Sequence, residues 1–242
     1  MSEKKIHQQT GIRFGKIQEY LGEFVYGGID GSVTTFAVVA GGFGANLDSG
    51  ILIILGFANL LADGFSMSVG AYLSAKSERD SYTKHKNIEY WEVENLPETE
   101  RQEIEEIYRE KGFEGQLLDQ IVDHICSDKD LWVSEMMKGE LEMIPNTKSP
   151  FATGLATLLS FVSVGIIPLL VYLWDFFFPT DKDIFLWTCI LTGFAFLVVG
   201  WMKSHVNQTS AIRSIAETVA LGALAATVAY FVGDILEAFF IK

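Results

Sequence analysis

Apolar residues in this chain gather into long runs towards its two ends, and a polar stretch, roughly residues 76 to 149, separates them. A helix needs about 20 apolar residues to cross a bilayer core, with about 17–25 as the range. Five segments meet that length: about Glu23 to Gly44, Ser49 to Ala75, Phe151 to Trp174, Phe185 to Met202 and Ile215 to Phe240. The first is the weakest, diluted by Glu23, Asp30 and several glycines. An odd number of spans places the termini on opposite sides. The pattern predicts an all-α membrane protein with five transmembrane helices and a helical insert between helices 2 and 3. Its parts are residues 1–75 (an N-terminal arm and two spans), 76–149 (the insert) and 150–242 (three spans).

The insert reads as helical. No Gly or Pro falls between Ala75 and about Asn95, so the second span is expected to run on beyond the membrane. Pro97 opens a helix where its missing N–H does no harm, and Gly112 stops it. Two further helices are expected near Gln116 to Cys126 and Asp130 to Glu142, before Pro145 and Pro150.

Charge orients this arrangement. The insert holds 19 Asp and Glu against 10 Lys and Arg, which gives −9 of the chain's formal −13. So acidic a surface cannot neutralise phosphates, which excludes nucleic acid as a partner, but it suits cations. Lys and Arg mark cytoplasmic loops. They occur in the N-terminal arm (Lys4, Lys5, Arg13, Lys16), in the insert, and at Lys203 and Arg213. The two connections on the other side carry only Asp48, and Asp181, Lys182 and Asp183. The N-terminus and insert are therefore expected in the cytoplasm, and the C-terminus outside. The polar first twenty residues contain no apolar stretch, so no signal peptide is expected. Cys126 and Cys189 form no C-x-x-C pair, which supports neither a disulfide framework nor a thiolate zinc site.

Asp30 and Asp63 lie inside spans, where a charge is unfavourable by several kcal/mol unless it faces protein or water. Asn59 precedes Asp63 by one helical turn and Met67 follows it by one, which makes a polar, sulfur-containing stripe. Oxygen with thioether suits a borderline ion such as Fe2+ better than Mg2+ or Ca2+. Gly27, Gly28 and Gly31 around Asp30 let backbones approach closely, which points to a helix–helix contact across a dimer axis. In the insert, Glu89 and Glu92 are three residues apart, as are Glu100 and Glu103, so each pair shares a helix face where a cation would relieve repulsion. Met136, Met137 and Glu140 form a third cluster.

Several stretches resemble the vacuolar iron transporter (VIT) family of plants, fungi, protists and prokaryotes. They are Gly-Ile-Asp-Gly-Ser-Val-Thr-Thr-Phe at 28–36, Asp-Gly-Phe-Ser-Met-Ser-Val-Gly-Ala-Tyr-Leu-Ser-Ala-Lys-Ser-Glu at 63–78, Pro-Glu-Thr-Glu at 97–100 and Trp-Val-Ser-Glu-Met-Met-Lys-Gly-Glu-Leu at 132–141. The resemblance covers nearly the whole chain. It implies proton-coupled export of Fe2+, often Mn2+ as well, from the cytoplasm by a homodimer, along a pathway between the first two helices of each subunit. It also implies a membrane carboxylate at Asp30, a pathway methionine at Met67, and cytoplasmic metal-binding at Glu89, Glu92, Glu100, Glu103 and Glu140, with Met136 and Met137 beside them. Where plant-like members carry an acidic residue this chain has Asn59, and Asp63 is read as that carboxylate moved by one turn.

These readings converge on a transporter, not an enzyme. Fe2+ or Mn2+ is its cargo, and protons, membrane lipid and a second copy of the chain are its partners; no cofactor is required. The compact loops point to a prokaryotic-type member in a cell membrane, or to a vacuolar membrane in a eukaryote. Two alternatives are a membrane-tethered di-iron enzyme and a metal-binding protein without transport. The first wants Glu-x-x-His pairs, and the sequence offers only His85 four residues before Glu89.

Overall fold

A computed structural model of the chain describes residues 19–179 and 183–240. The arm residues Lys4, Lys5, Arg13 and Lys16, and Asp181 and Lys182, lie outside the described residues. The described residues form helices joined by short connections. They are α1 (Leu21–Gly44), α2 (Ser49–Asn95), α3 (Pro97–Glu110), α4 (Gly115–Cys126), α5 (Lys129–Gly139), α6 (Pro150–Gly165), α7 (Ile167–Phe177), α8 (Ile184–Val206) and α9 (Ala211–Phe240). They divide into two compact units, Met1–Tyr72 with Lys148–Lys242, and Leu73–Thr147. Helix α2 contributes to both.

In the larger unit α1, α2, α8 and α9 are each long and apolar enough to cross a membrane, and α6 with α7 makes a fifth span if counted as one. The run from Phe151 to Trp174 reads as a single helix in the sequence, yet it bends by 47° between α6 and α7. Pro168 lies in the first turn of α7 and has no N–H to give to the preceding turn, which ends one helix and starts the next. The Ile166 and Leu169 amides recover partners at the break, on the carbonyls of Val162 and Ile166. α2 is 47 residues long, more than twice the length a bilayer core takes, as the absence of Gly and Pro after Ala75 led one to expect.

α1 is the centre of this unit, packed against α6, α7, α8 and α9. A Cβ on Gly31 would run into the Phe161 carbonyl of α6, and one on Gly233 of α9 would run into the Gly41 carbonyl of α1. These positions need the missing side chain. The close helix contact expected at Gly27, Gly28 and Gly31 is thus made within the chain by α6, and α9 fills the face at Gly41 and Gly44. Large apolar side chains such as Phe194 and Leu197 on α8, and Leu224 and Phe231 on α9, are exposed, as a lipid-facing surface requires.

The smaller unit has its own core of Val93, Ile104, Leu118, Val122, Ile125, Trp132, Val133, Met136 and Met137. Pro97 stands at the start of α3 with Glu98 and Glu100 in its first turn, where they meet the positive end of the helix dipole. Gly112 follows α3 at φ +92°, a backbone state that glycine adopts without strain. Asp128 caps α5 by accepting from the Asp130 and Leu131 amides. That helix ends at Gly139, short of the expected Glu142, so Glu140 is its C-cap.

Candidate functional site

Several carboxylates interrupt the apolar runs of the larger unit, and their partners differ. Glu23 accepts from Lys148 Nζ at 2.7 Å. Glu217 is held by Lys203 and Arg213, each at 3.0 Å. These charges near helix ends are neutralised by cations that the chain itself supplies. Among the described residues, Asp30 and Asp63 have no such ion pair, although both are half-buried on neighbouring spans. They are near enough for the charge of one to act on the other. Asn59 Nδ2 donates to Asp63 Oδ2 at 3.4 Å, so the two share one face of α2. Met67, one turn further on, is half-buried beside the cluster of Leu60 and Phe161. The α2 stripe of Asn59, Asp63 and Met67 lies beside a buried row that includes Leu52, Gly56, Leu60 and Gly64.

In the smaller unit, α2, α3 and the end of α5 bring together Glu89, Glu92, Glu100, Glu103 and Glu140, each acting electrostatically on others of the set. Glu89 and Glu100 are only 3% and 4% exposed, and one oxygen of each is buried without a hydrogen-bond partner. Burial, then repulsion led by Glu140, pushes the Glu89 carboxyl up to about 7. Burial, then repulsion led by Glu103, does the same for Glu100. Glu103 and Glu140 are also raised, again chiefly by burial. Four cations of this unit pair with other carboxylates: Arg101 with Asp123, Arg109 with Glu105, Lys129 with Glu94 and Lys138 with Glu135. No such pair reaches the five glutamates among the described residues.

Among the described residues no three His, Cys, Asp or Glu side chains form a ready-made metal cage. The five glutamates share one field without closing into one coordination sphere, as like charges do until a cation draws them in. Their carboxylate oxygens suit divalent cations, Mn2+ among them. Met136 and Met137 are 0% exposed within the unit's core, which accounts for two methionines on a polar segment without a metal. His85 Nδ1 lies 2.9 Å from the Ser81 carbonyl, in a hydrogen bond of its own helix. Cys126 and Cys189 are both free.

Two features escaped the sequence reading. The pairing of Glu23 with Lys148 joins residues far apart in the chain. A cavity at the Gly44 end of α1, lined by Tyr172 and Asp183, carries no motif.

A helical, multi-pass membrane protein with unpaired acidic groups in two settings is the class that fold and site define. Comparison with known proteins narrows it. The VIT family model matches residues 21–234. A vacuolar iron transporter of Toxoplasma gondii is 36% identical over 226 residues, covering 90% of this chain and 75% of the relative. One from Centaurea cyanus is 34% identical, covering 88% and 86%. Vacuolar iron transporter 1 of Arabidopsis thaliana is 31% identical, covering 90% and 87%. The chain belongs to the VIT family, whose members are transporters and not enzymes. The expectation of a prokaryotic-type member is not borne out by these relatives.

Proposed function

We propose that this protein exports a divalent transition-metal ion, Fe2+ with Mn2+ as a second cargo, from the cytoplasm in exchange for protons. One observation carries the reading. Among the described residues, Glu23 and Glu217 are neutralised by Lys and Arg, whereas Asp30 and Asp63 are not. An acidic group held in a membrane without a permanent partner needs a transient one. Metal and proton compete for the same oxygens, because binding the metal requires deprotonation. Protons arriving from the far side therefore release it, and no redox step is needed.

The five glutamates of the smaller unit gather ions from the cytoplasm and pass them to Asp30, Asp63 and Met67, with Asn59 orienting Asp63. Met136 and Met137 hold the unit's core and add thioether contacts when the ion draws the cluster together. With α6 and α7 counted as one span, the N-terminus and the insert are cytoplasmic and the C-terminus lies opposite. The relatives' names favour a vacuolar membrane as the setting. The working form is a homodimer. On α2, Ala58, Ala62, Ser66 and Gly70 are exposed at a spacing of four, a small-residue row suited to close helix approach. The ion stripe of Asn59, Asp63 and Met67 runs directly beside that row.

The test is metal flux into proteoliposomes under an imposed pH gradient. Asp30→Asn should abolish it, and undiminished flux would remove Asp30 from the path. A tethered di-iron enzyme is set aside, since the family is one of transporters and His85 is engaged with its own helix.

A further inference from the structure

Helix α1 ends at Gly44, α2 starts at Ser49 and α8 starts at Ile184, and beside these three ends lies a cavity of about 300 Å3. Its polar lining consists of Asn46, Ser49, Tyr172 and Asp183. Phe43 and Phe185 stack beside it, with ring centroids 4.1 Å apart and planes within 3° of parallel, which gives a rigid wall. Tyr172 is 2% exposed, and its hydroxyl is buried without a hydrogen-bond partner among the described residues. A buried hydroxyl rarely stays unpaired, so this one calls for a ligand or an ordered water. Asp183 is near enough for its charge to act on that phenol. Its side chain accepts from the Leu186 amide at 3.1 Å, and a carboxylate retains further acceptor sites beyond that one.

Two of the three helices that end here carry Asp30 and Asp63, each fourteen residues, or about 21 Å, from its helix end at the cavity. We propose that the cavity is the release site for the exported ion. It holds a divalent cation with part of its water shell on the Asp183 carboxylate and the oxygens of Asn46, Ser49 and Tyr172. The space is too large for a bare ion and large enough for a hydrated one. Ion affinity falls as the number of charged ligands falls. A single carboxylate therefore binds weakly, as a site that must let its ion go requires. The inference rests on the transport reading above.

The experiment uses the full chain in proteoliposomes, with Mn2+ as the probe on both sides. Mn2+ on the receiving side occupies the release site and slows net transport. In Asp183→Asn the receiving-side concentration that halves the flux should rise about tenfold, the loss expected for a charged ligand. Tyr172→Phe should raise it about threefold, in keeping with a neutral hydroxyl. The KM for Mn2+ on the loading side should stay unchanged in both. Tyr172→Phe removes one oxygen from an otherwise intact ring, and an unchanged melting temperature separates loss of the site from misfolding. Normal flux with an unaltered half-inhibiting concentration in both variants would overturn the release site alone. Absence of both Mn2+ and Fe2+ flux in the unsubstituted protein would overturn the transport reading and this site with it.

Discussion

Glu23, Asp30, Asp63 and Glu217 look alike in the sequence, since each is an acidic residue interrupting an apolar run. What they touch separates them. Replacing Asp30 or Asp63 by Asn should lower metal flux at least about tenfold, equivalent to about 1.4 kcal/mol of lost ion binding, with little change in melting temperature. Glu23→Gln should do the reverse: it removes the ion pair with Lys148 and lowers the melting temperature, while flux per folded molecule is kept. Parallel flux and melting measurements on the three variants decide the assignment. Asp30 and Asp63 were legible because a charge in an apolar run stands out. The pairing of Glu23 was not, because its partner lies across the fold. Tyr172 left no signal, since a tyrosine among apolar residues is ordinary until its hydroxyl proves unpartnered.

Spans and their caps followed from the hydrophobic runs and from Pro97, Gly112 and Pro150, all of which are local signals. The 47° break at α7 was missed because Pro168 sits inside an otherwise continuous apolar run. Spacing placed Glu89 with Glu92 and Glu100 with Glu103 on shared faces. Only packing could show that three helices bring these pairs and Glu140 together, and that Glu89 and Glu100 are buried.

That burial sets a pH dependence. Glu89 and Glu100 titrate at about 7 in the folded chain, against the usual value of 4.5. Between those limits the folded state holds protons that the unfolded chain has released. The stability of the metal-free protein should therefore fall as pH rises from about 4.5 to about 7 and level off above it. A bound divalent ion replaces those protons, so its stabilising effect should grow over the same range. Melting of the full chain at several pH values, with and without Mn2+, tests this. A metal-free melting temperature that rises through that window would count against the buried, unpaired glutamates.

For the molecule as a whole, the exposed row of Ala58, Ala62, Ser66 and Gly70 is the surface on which two copies should meet. Ala62→Leu should shift the purified protein from dimer to monomer in a native-mass measurement, because it thickens a contact that depends on small side chains. A dimer that survives this change at full strength would place the interface elsewhere. The contrast between apolar and polar stretches led to the expectation of an insert over residues 76–149, and the smaller unit of the structure spans Leu73–Thr147. The proposed face between copies was not legible in the sequence, because the glycines of α1 advertise close packing without saying which helix fills it.

The central claim is that the unpaired membrane carboxylates hold a metal ion and a proton in turn. The most direct test reports both species at once. Liposomes containing the protein and a pH-sensitive dye are given Fe2+ under reducing conditions, and metal entry and internal pH are followed together. The account predicts that metal entry and proton counterflow rise and fall together, and that both vanish in the Asp30→Asn, Asp63→Asn double variant. Metal entry without any proton movement, or an unchanged counterflow in the double variant, would contradict it.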